Sequence, residues 1–359
     1  MSAVLLGGII AFALSLLLTG IAIQRFRAWG LGQEIRDDGP ASHLAKRGTP
    51  TMGGTAIIAS AVIGYFGSKL FTWSAPSISG YLLTSLLVGM GVVGFCDDYL
   101  KIYKKRSLGL RAGAKMTGQA LVAVGFGFLA LSLSANKGDA ALVSQQLSFV
   151  RDIGPHLGWV LVLGLFWLMV TGTSNATNLT DGLDGLLAGA AAVVFGAYAI
   201  IGVWQSNNMC TSTRFDPGCY EVQTPLEVSI FAAAMAGACC GFLWWNASPA
   251  RIFMGDTGSL ALGSTMAGLA ILSKTELLLV VLGGLFVMIT MSVIVQTTWF
   301  KATRRFSGSG KRLFKMAPMQ HHFELSGWTQ DTVVIRFWIL GGISVLAGLA
   351  IFYFEWLSH

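Results

Sequence analysis

The stretch AVLLGGIIAFALSLLLTGIAI, residues 3–23, indicates the fold class. It contains no charged residue, and it is long enough to cross a bilayer as a helix, which takes about 20 residues. In the whole chain 54% of the residues are hydrophobic and 11% are charged, whereas about 25% are charged in an ordinary soluble domain. The sequence therefore predicts an all-α integral membrane protein. A transmembrane barrel is excluded because its strands would alternate over about ten residues.

Further apolar stretches predict about ten transmembrane helices in one membrane domain, residues 1–359, because no hydrophilic block is long enough for a separate soluble domain. The predicted spans are Ala3–Ile23, Met52–Phe71, Gly80–Cys96, Met116–Ala135, Leu157–Thr173, Leu183–Trp204, Leu226–Trp245, Gly258–Leu272, Leu277–Phe300 and Val333–Trp356. Gly258–Leu272 is a short span with poorly marked ends.

The basic residues predict the orientation. The loops after the odd-numbered spans, with Arg336 counted in the last of them, hold nineteen Lys and Arg, and the opposite loops hold five. Because basic loops stay in the cytoplasm, we expect both termini outside and the odd-numbered loops inside. The same bias accounts for the net charge of +7, so no nucleic-acid partner is expected.

The five cysteines divide by location. Cys96, Cys239 and Cys240 lie in predicted spans and are most simply small core residues. Cys210 and Cys219 share the outer loop NNMCTSTRFDPGCYE, outside the reducing cytoplasm. Either a disulfide or two free thiols is compatible with this position.

Polar residues with catalytic or metal-binding potential collect in the loops that are predicted to be inside. They are Asp97, Asp98, Asn175, Asn178, Asp181, Asp184, Asn246, Asp256, His321 and His322. A carboxylate at the bilayer centre costs about 2.5–3.5 kcal/mol, but these carboxylates lie at the ends of spans on one side. Their distribution predicts a water-accessible site on the cytoplasmic face.

Two of the acidic motifs allow two interpretations each. In GFCDDYLK, Asp97 and Asp98 end the third span, where Lys101, Lys104 and Lys105 could neutralise them, or where they could bind a divalent cation or accept a proton. In RIFMGDTGSL, Asp256 could be a helix N-cap. Alternatively, it could hold a magnesium-bound pyrophosphate beside free backbone amides.

The stretch TSNATNLTDGLDGL, residues 173–186, places Asp181 and Asp184 three residues apart, on one helix face if the sixth span begins there. Gly182 and Gly185 would let a ligand approach the backbone closely. A tight turn with one capping Asp explains one carboxylate, but not two carboxylates and two asparagines together. The glycosylation sequons in this loop are discounted because the loop is predicted to be inside.

The last inside loop combines Lys311, Arg312 and Lys315 with His321, His322 and Glu324. The histidines and the glutamate could bind a metal, but no further ligands follow at zinc spacing. A phosphate-binding strip suits this composition better. An amphipathic segment on the membrane surface is the other alternative.

Five motifs together resemble the polyprenyl-phosphate N-acetylhexosamine-1-phosphate transferase family over the whole chain. They are KRGTPTMGG, GFCDDYLK, NATNLTDGLDGL, FLWWNASPARIFMGDTGSL and KRLFKMAPMQHHFELSGW, and they occur in family order. TPTMGG and MAPMQHHFE resemble the muramoyl branch of the family rather than its GlcNAc branch.

The resemblance implies a multi-pass enzyme of the bacterial plasma membrane, with its active site on the cytoplasmic face, that functions in peptidoglycan synthesis. With Mg²⁺, it would transfer phospho-MurNAc-pentapeptide from UDP-MurNAc-pentapeptide to undecaprenyl phosphate, giving lipid I and UMP. The transfer could be direct or pass through an aspartyl-linked intermediate. The resemblance also implies a homodimer.

The site residues follow from the resemblance position by position. Asp256 matches the magnesium ligand, Asp97 and Asp98 match the essential pair, and Asp97 is the candidate for activating the lipid phosphate. The uracil site corresponds to Asp184, Gly182, Leu183 and Phe253. The other matched positions are the catalytic candidates Lys101, Lys115 and His321 and the substrate-binding candidates Lys46, Thr51, Asn178, Asp181, Asn246, Gln296 and His322.

The chain departs from the family at one position, since the family usually has three consecutive histidines and the first is Gln320 here. Glutamine cannot transfer a proton as histidine does, but it can still hydrogen-bond a phosphate or a sugar. The rival functions are a GlcNAc-type phosphotransferase of the same family and a membrane transporter. A transporter would place its ionisable residues near the bilayer midplane rather than at one face.

Overall fold

The computed structural model describes residues 1–30, 32, 48–104, 109–134, 141–210 and 218–358. Within these ranges the chain forms twelve helices and one two-stranded hairpin. In chain order the elements are α1 (Ser2–Ala28), α2 (Gly54–Phe71), α3 (Ile78–Tyr103), α4 (Ala112–Ser134), β1 (Leu147–Ser148), β2 (Asp152–Ile153), α5 (Trp159–Thr180), α6 (Leu186–Asn207), α7 (Pro225–Asn246), α8 (Gly255–Leu272), α9 (Leu278–Leu282), α10 (Gly284–Ser307), α11 (Met319–Glu324) and α12 (Gln330–Leu357).

In the described part of the chain, nine helices are long and apolar enough to cross a membrane: α1 to α7, α10 and α12. The prediction of a helical polytopic membrane protein is therefore confirmed, with nine such helices instead of about ten and a short β1–β2 hairpin besides. The predicted eighth span is also a helix, α8, but it is not among these nine.

Helix α8 is the most enclosed helix of the bundle. Every residue from Thr257 to Leu272 is buried, and the helix packs against α3, α5 and α2. Other helices rather than lipid surround it, so α8 can carry more polar side chains than a lipid-facing span. The hydroxyls of Ser264 and Thr265, for example, both donate to the carbonyl oxygen of Ala261 within the helix.

Glycines allow the neighbouring helices to approach the first turn of α8 closely. A Cβ atom added to Gly94 of α3 would lie 2.1 Å from the main-chain oxygen of Asp256. A Cβ atom on Gly54 of α2 would lie 2.1 Å from the main-chain nitrogen of Gly258. Real Cβ atoms do not come this close, so α2 and α3 need glycine at these two contacts.

The prediction of one continuous span over Leu277–Phe300 is wrong. The chain is helical in α9, breaks at Gly283 and resumes as α10 at Gly284. Consecutive glycines are a common cause of helix breaks because they leave the backbone less constrained. The chain lies close to α12 at this point, since a Cβ atom on Gly284 would lie 2.7 Å from Oγ of Ser344.

One end of the bundle, which we call the disulfide end, carries the β1–β2 hairpin and a disulfide between Cys210 and Cys219. The structure thus decides between the two states of these cysteines that the sequence allowed. Arg151 in the hairpin turn donates to the main-chain oxygens of Cys219 and Gly218 and forms an ion pair with Glu355 of α12. These contacts attach the hairpin to both the disulfide loop and the last helix.

Candidate active site

Three carboxylates from segments far apart in sequence meet at the other end of the bundle. Asp97 and Asp98 lie in the last two turns of α3, and Asp256 lies in the first turn of α8. One oxygen from each side chain lies within 4.8 Å of the other two. Asp97 and Asp98 are each only 3% exposed. We call these three residues the acidic cluster.

Two lysines lie against the acidic cluster. Nζ of Lys101 is 2.6 Å from Oδ2 of Asp97, 3.5 Å from Oδ1 of Asp98 and 3.1 Å from Oδ2 of Asp256. Lys115, in the first turn of α4, also forms an ion pair with Asp256. The prediction that Lys101 neutralises the aspartate pair is confirmed. Three carboxylates against two ammonium groups still leave one formal negative charge, so a cation can also be accommodated electrostatically.

Asp98, not Asp256, caps the N-terminus of α8. Its Oδ1 accepts a hydrogen bond from the amide of Asp256 at 3.1 Å. Its Oδ2 accepts one from the amide of Thr257 at 2.9 Å and one from the Thr257 hydroxyl at 2.8 Å. The N-cap interpretation of Asp256 is therefore wrong. These two amides already have a partner, so the expectation that the α8 amides are free to bind an anion is wrong for them as well.

Asp97 is oriented from two sides. Its Oδ1 accepts a hydrogen bond from the amide of Leu110 at 2.8 Å, and its Oδ2 contacts Lys101. A Cβ atom on Gly109 would lie 2.5 Å from Oδ1 of Asp97, so the backbone of residues 109–110 covers this carboxylate closely. The carboxylate is thus held in one direction by groups on two segments.

The second acidic pair lies in a turn and not on a helix. Helix α5 continues to Thr180 and α6 begins only at Leu186, after Gly185 with φ of 78°. The interpretation that Asp181 and Asp184 share a helix face is therefore wrong, because the left-handed backbone at Gly185 ends the turn before α6 starts. Low-dielectric surroundings, followed by the charges of Asp256 and Asp98, raise the pKa of the Asp181 carboxyl well above its usual range.

Two side chains join this turn to the segment between α7 and α8. Oδ2 of Asp184 accepts a hydrogen bond from the amide of Ala250 at 3.2 Å. Asn246 accepts one from the amide of Gly185 at 3.1 Å and donates to the carbonyl of Ile252 at 2.9 Å. The turn and the segment 246–252 therefore form one continuous wall beside the acidic cluster.

A second backbone contact brings the segment before α2 to the same place. The amide of Phe253 donates to the carbonyl of Pro50 at 2.8 Å, and the amide of Gly53 donates back to Phe253 at 2.9 Å. Thr51 is 4% exposed, and its Oγ1 lies 3.0 Å from the position of a Cβ atom on Gly255. Phe253 and Thr51 are thus adjacent to the start of α8.

Comparison with known proteins agrees with this arrangement. The profile described as glycosyl transferase family 4 matches residues 79–274, and phospho-N-acetylmuramoyl-pentapeptide-transferase signature 1 matches residues 46–58. A Nocardioides protein named phospho-N-acetylmuramoyl-pentapeptide-transferase is 58% identical over 100% of both chains. Proteins of the same name from Frankia casuarinae and Streptomyces avermitilis are 55% and 54% identical, covering 100% and 99% of this chain and 99% of each relative. The chain belongs to the phospho-N-acetylmuramoyl-pentapeptide-transferase family.

The segment MAPMQHHFE, residues 316–324, ends in α11, and α11 packs on the turn between α5 and α6. Nδ1 of His321 lies 2.7 Å from Oε2 of Glu324. Nε2 of His321 lies 2.9 Å from the position of a Cβ atom on Gly182. Gln320 is fully buried, and its amide donates to the carbonyl of Leu179 at 2.9 Å. Gln320 therefore attaches α11 to the end of α5.

The other candidate site residues predicted from the sequence have varied surroundings. Gln296 accepts hydrogen bonds from the amides of Leu313 and Phe314, and Nδ1 of His322 accepts one from the amide of Lys315. Both side chains thus organise the loop before α11. Asn178 lies at the end of α5, and its side-chain nitrogen is buried with no hydrogen-bond partner among the described residues.

Lys46 and Lys105 lie outside the residues that the structure describes. No sequence motif pointed to Thr257, which binds Asp98 through both its amide and its hydroxyl. One of these two hydrogen bonds comes from a backbone amide, which every residue except proline has, so the residue type does not reveal it.

Proposed function

We propose that this chain transfers phospho-MurNAc-pentapeptide from UDP-MurNAc-pentapeptide to undecaprenyl phosphate, giving lipid I and UMP for peptidoglycan synthesis. The observation that carries the proposal is the convergence of Asp97, Asp98 and Asp256 with two lysines in a member of this family. Transfer between two phosphate groups needs alignment and charge neutralisation more than covalent chemistry. A cluster of carboxylates and ammonium groups at one end of a membrane bundle supplies both.

The donor set of the acidic cluster fits Mg²⁺. This ion takes oxygen ligands, usually one or two carboxylates together with substrate phosphates and water. Asp256 and Asp97 would hold it, because the oxygens of Asp98 already accept hydrogen bonds from α8. When bound, Mg²⁺ would stabilise negative charge on the phosphate oxygens.

The chain's own residues would then divide the remaining work. Lys101 and Lys115 offset the charge that develops on the transferring phosphate. Asp97, fixed by the amide of Leu110, accepts a proton from the lipid phosphate at its carboxylate. His321, whose Nδ1 is paired with Glu324, presents Nε2 beside the turn that contains Gly182; Nε2 can accept a hydrogen bond from a sugar hydroxyl there, or donate one to a phosphate oxygen when the ring is protonated.

The nucleotide would bind along the wall made by the turn and the segment 246–253. Asp184 and the backbone of Gly182 and Leu183 would contact the uracil, and Phe253 would stack on its ring. The hydrogen bonds from Ala250 and to Ile252 support this assignment because they hold the turn and the Phe253 segment in one fixed arrangement. We assign Thr51, Asn178, Asp181 and Asn246, together with Gln296 and His322 of the loop before α11, to the rest of the substrate site.

We further propose that the acidic cluster faces the cytoplasm of a bacterial plasma membrane, that both termini face outwards, and that the chain acts as a homodimer. The excess of Lys and Arg in the odd-numbered loops supports this orientation. A cytoplasmic site would reach a soluble nucleotide donor while the polyprenyl chain stays among the lipid tails.

The direct test is a transfer assay on membranes with labelled UDP-MurNAc-pentapeptide, with and without EDTA. We expect a lipid-extractable product and UMP, both lost with EDTA. Turnover of UDP-GlcNAc without use of the muramoyl donor would instead support the GlcNAc branch. Uptake of intact nucleotide sugar into vesicles without lipid product would support a transporter.

Asp256→Asn tests the assignment of the cluster. We expect turnover to fall by roughly 100-fold or more, because the change removes one of the two carboxylates that would hold Mg²⁺ against the reacting phosphates. Asp331→Asn is the matched control, since Asp331 is an exposed aspartate in the first turn of α12. The mutant protein should still insert and fold. Near-normal turnover of Asp256→Asn would remove Asp256 from the site.

A further inference from the structure

Asp98 differs from the other two carboxylates of the acidic cluster because its oxygens are already engaged. An ionised carboxylate offers about four lone-pair sites. Asp98 uses them for the amide of Asp256, the amide and hydroxyl of Thr257, and a 3.5 Å contact with Lys101. A metal ion or a phosphate proton could bind Asp98 only by displacing one of these donors.

The groups that donate hydrogen bonds to Asp98 belong to the first turn of α8. The second and third residues of α8 are Asp256 and Thr257, and their amides are the ones that a side chain at the N-cap normally accepts from. The N-cap residue of α8 is Met254, whose side chain makes no cap hydrogen bond. The missing cap is therefore supplied across the bundle by a residue of α3.

Glycines on both helices leave room for the contact between Asp98 and the α8 amides. Gly255 has φ of 74°, and a Cβ atom there would lie 2.5 Å from Oδ2 of Asp98. On the α3 side, Gly94 lies one turn before Asp98 against the carbonyl of Asp256. Glycines on both sides thus allow a carboxylate of one helix to reach the amides of another.

We propose that Asp98 is a positioning residue that clamps the first turn of α8 to α3 and so sets the place of the Asp256 carboxylate. The inference rests on the proposed function, in which Asp256 and Asp97 hold the divalent ion. Asp98 bonds directly to the amide of Asp256, so movement of this turn would change the separation between the Asp256 carboxylate and Asp97. Asp98 itself touches neither ion nor substrate.

Thr257 provides a test that leaves the acidic cluster unaltered. Thr257→Val removes only the hydroxyl that donates to Asp98, and Thr257→Ser restores it. Thr265→Val is the matched control, because Thr265 is also fully buried in α8 but its hydroxyl bonds to Ala261 within the helix. We would measure Mn²⁺ affinity by electron paramagnetic resonance without substrate, and kcat and KM for the nucleotide donor.

We expect Thr257→Val to weaken Mn²⁺ binding by about 2-fold to 10-fold, the effect of one lost hydrogen bond. It should also lower kcat while KM for the nucleotide donor stays the same. Thr257→Ser should return both values, and Thr265→Val should change neither. Asp98→Asn should shift Mn²⁺ affinity in the same direction as Thr257→Val and more strongly.

Three results would overturn the clamp. In the first, Asp98→Asn loses Mn²⁺ binding while Thr257→Val binds like the wild type, which would make Asp98 a direct ligand. In the second, Thr257→Val lowers only the melting temperature. In the third, the wild-type protein binds no Mn²⁺. Failure of the proposed function would look different, since Mn²⁺ affinities would shift as expected while the wild type formed no lipid product from the muramoyl donor.

Discussion

Glu276, at the disulfide end, should make the protein less stable as the pH rises. It lies between α8 and α9 and is 3% exposed. Burial, with a smaller contribution from the charge of Asp152, raises the pKa of this carboxyl from 4.5 to about 8. The folded protein therefore holds Glu276 as the neutral acid at neutral pH.

The sign and size of the effect follow from this shift. A raised pKa means that the folded state binds the proton more tightly than the unfolded state does. The resulting stabilisation is fully present below the unfolded pKa of 4.5, and it is lost as the pH rises toward 8. The slope is about 1.4 kcal/mol per pH unit, so the free energy of unfolding should fall by about 3 kcal/mol between pH 4.5 and 7.

The assay is thermal unfolding in detergent at pH values from 4.5 to 8.5. Glu276→Gln keeps the shape of the side chain and removes its titration, so its stability should decline less steeply with pH than that of the wild type. Glu221→Gln, which changes an exposed glutamate at the same end, should keep the wild-type pH dependence. Parallel curves for the wild type and Glu276→Gln would refute the reasoning, because another group would then cause any pH dependence.

Three further substitutions test other parts of the structure. Asp184→Ala should weaken nucleotide binding, and unchanged affinity in a titration with UDP would contradict the assignment of this residue. Lys69→Met should lower the free energy of unfolding by about 3–5 kcal/mol, because it leaves Glu227 buried without its counter-charge. Denaturation in detergent measures this change. The double variant Lys69→Met with Glu227→Leu should recover part of the lost stability. Gly94→Ala should lower turnover by forcing α3 away from the first turn of α8, whereas Gly113→Ala, where an added Cβ meets nothing within 4 Å, should not.

The sequence predicted the lipid-facing helices well because their signal is local. A run such as Ala3–Ile23 is apolar throughout, and α1 forms over Ser2–Ala28. The prediction for Leu277–Phe300 failed because hydropathy averages over a window and does not register the break at Gly283. The start of α6 was placed too early for a related reason, since the apolar residues Leu183 and Leu186 obscure the left-handed Gly185 between them.

The candidate site was predictable as a set of residues but not as a set of contacts. Acidic residues at the ends of spans marked Asp97, Asp98 and Asp256, and the structure places them together. Which of them caps α8 depends on how α3 lies against α8, and that packing is not encoded by any spacing within one segment. The contact of Thr257 with Asp98 stayed hidden for this reason, and so did the capping of α8 by Asp98 instead of Asp256.

The burial of α8 accounts for both the weak hydropathy signal and the site. A helix surrounded by other helices does not need a lipid-facing surface, so it can carry hydroxyls and glycines where a span in contact with lipid would carry leucine. Gly54 of α2 and Gly94 of α3 let these two helices come within contact distance of its first turn. Close packing there brings Asp98 to the α8 amides and places Asp256 beside Asp97. Burial among other helices thus makes α8 the hardest span to recognise from the sequence, and the same burial brings the three carboxylates together.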